Sequence, residues 1–169
     1  LSIRRQRQMC IRDSIHPFCA ILLQEYHTDP KIRVFDEVRL SHAGEGDLMT
    51  TRMAKHIKAK YPHCRKFVVY PDPAGQARKT SSQWTDHSLL RKENFIVRVK
   101  KQAPSVSDSV NSVNNAMKTI KISSNCKNFI LDLERVTNKE GTREIDKSNK
   151  DLTHFSDAFR YYVDFEHPC

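Results

Sequence analysis

The order of apolar and polar residues predicts a β-hairpin in the first quarter of the chain. Residues 18–26, FCAILLQEY, form an apolar run of strand length. Residues 31–40, KIRVFDEVRL, place apolar side chains at Ile32, Val34, Val38 and Leu40, and the turn-forming residues TDP at 28–30 separate the two segments. Two strands joined by a short polar turn are typical of an antiparallel hairpin.

An amphipathic helix and a buried strand follow. Asp47 is a candidate N-cap, and apolar residues then recur every four positions up to Pro62, namely Met49, Met53, Ile57 and Tyr61. Residues 66–70, KFVVY, are a short continuous apolar run, which is typical of a central strand buried on both faces. This strand leads directly into the turn PDPAG at 71–75.

The second half of the chain continues to alternate helices and strands. A weak helix is predicted at 84–93 and a strand at 95–99. Ser105 or Ser107 caps the next predicted helix, whose apolar face consists of Val106, Val110, Val113 and Met117. A short strand at 120–122, a helix capped by Asn125, a polar loop at 138–149 and a last helix from about Asp151, which stops before Pro168, complete the predicted elements. This order predicts one mixed α/β domain without repeat or linker.

Composition narrows the class of protein. With 169 residues, 38% hydrophobic and 29% charged, the chain can bury a real core, which excludes collagen-like and largely disordered classes. No run reaches 18 consecutive apolar residues, so we predict no membrane span. The net charge of +9 indicates a nucleic acid or another anionic partner. The five cysteines are scattered without a CxxC pair, which favours free thiols in a reducing compartment over zinc binding or disulfides.

The first fourteen residues, LSIRRQRQMCIRDS, show no apolar periodicity and no signal-peptide core. They resemble the translated read-through of a sequencing adapter at the end of an open reading frame. We therefore expect residues 1–14 to be artefactual or disordered and residues 15–169 to form the domain, as a fragment whose natural N-terminal part is missing and whose first strand is truncated. The alternative is a disordered basic arm that contacts DNA phosphates, and composition alone favours it.

Two acidic residues occupy positions where chemistry is plausible. Asp72 follows the most apolar strand, at the edge where open α/β sheets bind ligands, although a turn residue would look the same. In the last helix, His154 and Asp157 share one side at a spacing of three residues. Spacing alone favours a solvated helix pair over a site for these two residues.

Four segments in a fixed order carry a resemblance to a known family. They are VVYPDPAG at 68–75, SDSVNSVN at 107–114, EIDK at 144–147 and LTHFSDAFRY at 152–161. Together they resemble the C-terminal nuclease domain of the large terminase subunit of tailed bacteriophages. The resemblance implies a ribonuclease H-like fold, a mixed sheet flanked by helices, and an endonuclease that cuts concatemeric DNA during viral genome packaging.

The resemblance also implies roles for particular residues. Asp72 matches the second of three metal-binding acids and Asp157 the third, so both are candidate catalytic residues and ligands of two Mg²⁺ or Mn²⁺ ions. His154 occupies a position beside the metals, as a candidate ligand or proton shuttle. Lys147 and the pair at 78–79, Arg78 and Lys79, lie where the family's surface approaches the DNA backbone. Carboxylates suit this chemistry because hard divalent ions prefer oxygen ligands.

The first acid of the family has no counterpart in register. In related chains an acid stands five positions before a proline, and counting back from Pro17 reaches Arg12. Asp13 is one residue away, and a slip of one residue turns a strand side chain to the opposite face unless a bulge intervenes. We therefore expect this chain to be impaired although its parent would be a nuclease.

The resemblance implies partners as well. They are double-stranded DNA and, in the intact system, a terminase ATPase domain, a small terminase subunit and a portal, in the cytoplasm of the host cell. The chain has no glycine-rich phosphate loop, so we expect the packaging ATPase to be absent from it. The alternatives are a non-catalytic basic DNA-binding or packaging-assembly module of the same fold, and a different ribonuclease H-like enzyme such as a resolvase or integrase core.

Overall fold

The computed structural model describes residues 18–41, 49–76, 84–102, 105–142, 144–149 and 151–168, together with the backbone of residues 7–12. Its strands form one mixed sheet in the order β5-β4-β1-β2-β3-β6. Their bounds are β1 Arg7–Arg12, β2 Phe18–Glu25, β3 Ile32–Leu40, β4 Phe67–Pro71, β5 Ile96–Val97 and β6 Ile120–Ile122. β1, β2 and β3 are successively antiparallel, whereas β4 runs parallel to β1, β5 to β4 and β6 to β3.

Helices cover both faces of the sheet. They are α1 Met49–Lys60, α2 Asp86–Lys92, α3 Val106–Ala116, α4 Lys127–Arg135 and α5 His154–Glu166. One apolar core lies between the sheet and α3, α4 and α5, and a second lies between the sheet and α1 and α2. The predicted hairpin, central strand and mixed α/β layers are confirmed. The cap predicted at Asn125 is wrong: Cys126 is the N-cap of α4, and Glu37 of β3 accepts hydrogen bonds from the first N–H groups of that helix.

The position of β1 corrects the prediction that residues 1–14 lie outside the fold. Residues 7–12 form a strand that pairs with β2 on one side and with β4 on the other. Without this strand, β2 and β4 would each leave a row of backbone N–H and C=O groups unpaired in the middle of the sheet. The three consecutive apolar residues of this segment, Met9, Cys10 and Ile11, are too few to indicate a strand by pattern alone. The origin of the segment as adapter read-through stays a prediction.

The buried face of α3 also differs from the predicted one. Ser109, Ser112 and Ala116 are buried, whereas Val106 and Met117 are exposed. α3 packs against α5, and small side chains allow the two helices to approach closely. The hydroxyl of Ser109 donates to backbone carbonyls of its own helix, which satisfies this polar group inside the core.

Candidate functional site

The candidate site begins where β4 ends. Asp72 directly follows Pro71, and its Oδ1 accepts a hydrogen bond from the backbone N–H of Ala74 at 2.9 Å. The Asp72 carbonyl accepts from the N–H of Gly75 at 3.0 Å and lies 2.8 Å from Nε2 of His87. A Cβ atom at Gly75 would lie 3.1 Å from that imidazole, so the tight turn favours glycine. Three contacts therefore hold Asp72 at the end of the central strand.

A tyrosine of α5 joins this turn to the last helix. The hydroxyl of Tyr161 donates to Oδ2 of Asp72 at 2.8 Å. Burial raises the pKa of Tyr161, and the negative charges of Asp72 and Asp157 raise it further because they oppose a phenolate. Tyr161 is therefore a neutral donor at physiological pH, and it lies within the electrostatic reach of both predicted acids.

Asp157 lies one helical turn before Tyr161 and is only 2% exposed. Its Oδ1 is 3.2 Å from a guanidinium nitrogen of Arg160, and its Oδ2 is 3.3 Å from Nζ of Lys147. The interpretation of Asp157 as part of a solvated helix pair is therefore wrong. A buried carboxylate is costly unless it is paired, and two cations pair this one.

His154, the first residue of α5, lies beside a different acid. It is buried, and its positive charge would stabilise the carboxylate of Asp132 on α4. Asp132 itself accepts hydrogen bonds from the N–H groups of Phe155 and Ser156, so it caps α5 from a neighbouring helix. His154 is therefore buried near Asp132 at the start of α5. Its role as a ligand or proton shuttle stays a prediction.

Of the three residues predicted to contact DNA, the structure describes Lys147. Arg78 and Lys79 lie outside the described residues. Lys147 has a half-exposed side chain, and its ammonium group is bound to Asp157. It therefore lies at the entrance of the candidate site, beside the acid, with part of its side chain open to a ligand.

Two polar residues of α5 near the candidate acids were not singled out by the sequence argument. Tyr161 and Asp164 follow Asp157 at spacings of four and seven residues, which places all three on one face of α5. Asp164 binds Nζ of Lys100 at 2.8 Å. The spacing was visible in the sequence, but only the position of α5 over the sheet shows that this polar face is buried.

The pairing of β1 with β4 shows which residue of β1 lies level with Asp72. β1 runs parallel to β4 with Ile11 opposite Pro71, so position 12 is level with Asp72. This is the position that the resemblance assigns to the first acid, and here it holds Arg12. Asp13 lies outside the described residues.

The fit to divalent metal ions is incomplete. Within the described ranges, no group of three His, Cys, Asp or Glu side chains could hold a metal ion. Asp72 and Asp157 supply carboxylate oxygens, the ligand type that Mg²⁺ and Mn²⁺ prefer, but each of their oxygens already has a protein donor. The described residues therefore provide two of the three implied acids and do not complete the site.

The sheet order with helices on both faces is that of a ribonuclease H-like fold. The solved structures with this fold include large terminases of bacteriophages. The chain superimposes on the large terminase of a thermophilic bacteriophage with a TM-score of 0.69 and 18% identity, over 97% of this chain and 40% of that protein.

The chain also superimposes on two isolated nuclease domains, over most of the length of each. The P22 large terminase nuclease domain gives a TM-score of 0.68 at 15% identity, covering 94% of this chain and 80% of that one. The bacteriophage SPP1 domain, solved with bound manganese, gives 0.59 at 16% identity, covering 92% and 84%. No protein-family model and no curated protein sequence matches the chain. The predicted resemblance is thus confirmed at the level of the fold.

In the described part of the chain, no helix is long and apolar enough to cross a membrane.

Proposed function

We propose that this fold serves as a metal-dependent DNA endonuclease module of the phage large-terminase class, which cleaves concatemeric DNA during genome packaging. The observation that carries the proposal is the convergence of Asp72, at the end of β4, and Asp157, on α5, around Tyr161. The fold shared with terminase nuclease domains supports it.

The proposed metal site uses Asp72 and Asp157 with a third carboxylate from position 12. Such a set would hold divalent ions, which would supply activation of a water molecule and stabilisation of the leaving oxygen of a phosphodiester. Because this chain has Arg12 instead of an acid, position 12 does not supply the proposed third carboxylate. We therefore propose that this chain is impaired in cleavage and that an acid at position 12 would complete a site for Mg²⁺ or Mn²⁺.

Further partners follow from the class. Double-stranded DNA is the proposed substrate, with Lys147 and the 78–79 pair near its phosphates. The chain spans 40% of the large terminase of the thermophilic bacteriophage. We propose that the ATPase domain, the small subunit and the portal act with this module in the host cytoplasm.

A second candidate function is a non-catalytic DNA-binding or assembly module. The ion pairs of Asp157 with Arg160 and Lys147 favour it, because they neutralise an acid that a metal would otherwise bind. Such a module would keep the fold and the net charge of +9 and would not depend on Asp72.

Nicking of supercoiled plasmid in Mn²⁺ or Mg²⁺ tests these alternatives. The key protein carries Arg12→Asp with Asp13→Phe, and it is compared with the same protein bearing Asp72→Ala. Glu134→Ala, which removes an exposed carboxylate of α4, is the matched control. We expect metal-dependent nicking by the double variant and its control, and none after Asp72→Ala. A folded double variant that binds DNA without cleaving it would establish the binding module instead.

A further inference from the structure

The largest aromatic side chain of the described surface lies at the start of α2, outside the candidate site. Trp84 is 50% exposed and directly precedes Thr85, the N-cap of this helix. Its ring lies 5.3 Å from Nζ of Lys92, close enough for a cation–π contact. Exposure of half an indole costs free energy in water, and a partner that covers the ring would recover it.

The exposed side of α2 combines this ring with positive charge. Arg91 and Lys92 are exposed near the helix end, while His87, Leu89 and Leu90 are buried beneath them. We call Trp84, Arg91 and Lys92 the α2 patch. It pairs an aromatic face with two cations and contains no acid among its three members, which suits a ligand that has both a flat ring and a phosphate.

α2 is held firmly against the candidate site. Nε2 of the buried His87 imidazole donates to the carbonyl of Asp72 at 2.8 Å. Thr50 of α1 donates to Asp86 at 2.6 Å, which fixes the first turn of α2 from the other side. A strand bound to the α2 patch would therefore have a defined position relative to Asp72.

We propose that the α2 patch binds an unpaired nucleotide of DNA, with the base stacked on Trp84 and the phosphate near Arg91 and Lys92. Bases within a duplex are already stacked on their neighbours, so a single exposed indole selects a single-stranded segment or a frayed end. This inference deepens the proposed function by naming the form of DNA that is held beside Asp72. It concerns binding and does not require cleavage.

Trp84 is the only tryptophan of the chain, so intrinsic fluorescence reports on the patch directly. Titration with an oligo(dT) strand of about 20 nucleotides in EDTA, which prevents cleavage, should quench the emission as the base stacks. A blunt duplex of equal length should quench it much less at equal saturation. Unchanged emission at saturating oligo(dT) would overturn the proposal.

Variants read by anisotropy of labelled oligo(dT) complete the test. Trp84→Ala should weaken binding by about 5- to 100-fold, Trp84→Phe should restore most of the affinity, and Lys92→Gln should reduce the salt slope by about one. Met117→Ala, which removes another exposed apolar side chain on a different helix, should have no effect. Equal affinity of Trp84→Ala and wild type, or equal losses for oligo(dT) and blunt duplex, would refute stacking. Trp84-dependent binding without nicking by the Arg12→Asp, Asp13→Phe protein would uphold the patch and reject the nuclease.

Discussion

Replacement of Asp132 by alanine should destabilise the start of α5, the helix that carries Asp157. Thr153, the N-cap of α5, has a positive φ of 75° and makes no side-chain cap. Oδ2 of Asp132 accepts instead from the N–H groups of Phe155 at 2.8 Å and Ser156 at 3.1 Å. Asp132 is 1% exposed, so both hydrogen bonds lie inside the protein.

The structure sets the magnitude of this loss. A buried N–H group left without an acceptor costs about 1–3 kcal/mol, so two such groups cost about 2–6 kcal/mol. Two features reduce this figure. A cavity of about 140 Å³ adjoins Asp132 and can admit water to the freed N–H groups. Burial of the ionised carboxylate is also unfavourable in wild type, and it raises the pKa of Asp132. We therefore expect a loss of about 2–3 kcal/mol, or a decrease in Tm of about 5–10 °C.

Urea unfolding followed by far-UV circular dichroism measures this loss. Glu134→Ala is the matched control, because it removes an exposed carboxylate from the same helix and should change the free energy of unfolding by less than about 0.5 kcal/mol. If Asp132→Ala were no less stable than Glu134→Ala, the capping argument would be refuted.

The same residue predicts a pH dependence. The folded state holds the proton of Asp132 more tightly than the unfolded chain, whose pKa is near 3.8. The stability of wild type relative to Asp132→Asn should therefore be greatest at and below that pH and decrease as pH rises through the raised pKa. An increase over this interval would show that the hydrogen bonds outweigh burial.

Two further predictions concern α4. Glu37→Ala should cost about 1–2 kcal/mol in urea unfolding, because Glu37 accepts from the N–H of Asn128 at 3.0 Å, whereas Glu140→Ala on an exposed turn should be neutral. Burial raises the pKa of the Cys126 thiol to about 12. Iodoacetamide at pH 8 should therefore modify the partly exposed Cys64 well before Cys126, as measured by peptide mass spectrometry. Equal rates would contradict the burial of Cys126.

Most elements of the fold could be predicted from local pattern. The hairpin of β2 and β3, α1 and β4 each have a strong apolar period and a clear turn or stop signal nearby. Of the two predicted caps of α3, Ser105 and Ser107, Ser105 is the N-cap, and its hydroxyl accepts from the N–H of Asp108 three residues later. Such features depend on neighbours in sequence, so the sequence alone determines them.

Other features depend on contacts between distant segments. α3 buries its serines and packs against α5, although the valines of α3 formed the more obvious stripe. β1 is a strand because β2 and β4 offer it backbone partners on both sides. Local periodicity carries no information about either partner.

The candidate site shows the same division. The sequence by itself singled out Asp72 and Asp157 as candidate acids, through the family resemblance of short motifs, and their role stays a prediction. Only the tertiary structure decided that Asp157 is buried between Lys147 and Arg160, that Tyr161 binds Asp72, and that position 12 is level with Asp72. The physical reason is that burial and electrostatic pairing are set by packing, which brings β1, β4 and α5 together across more than a hundred residues.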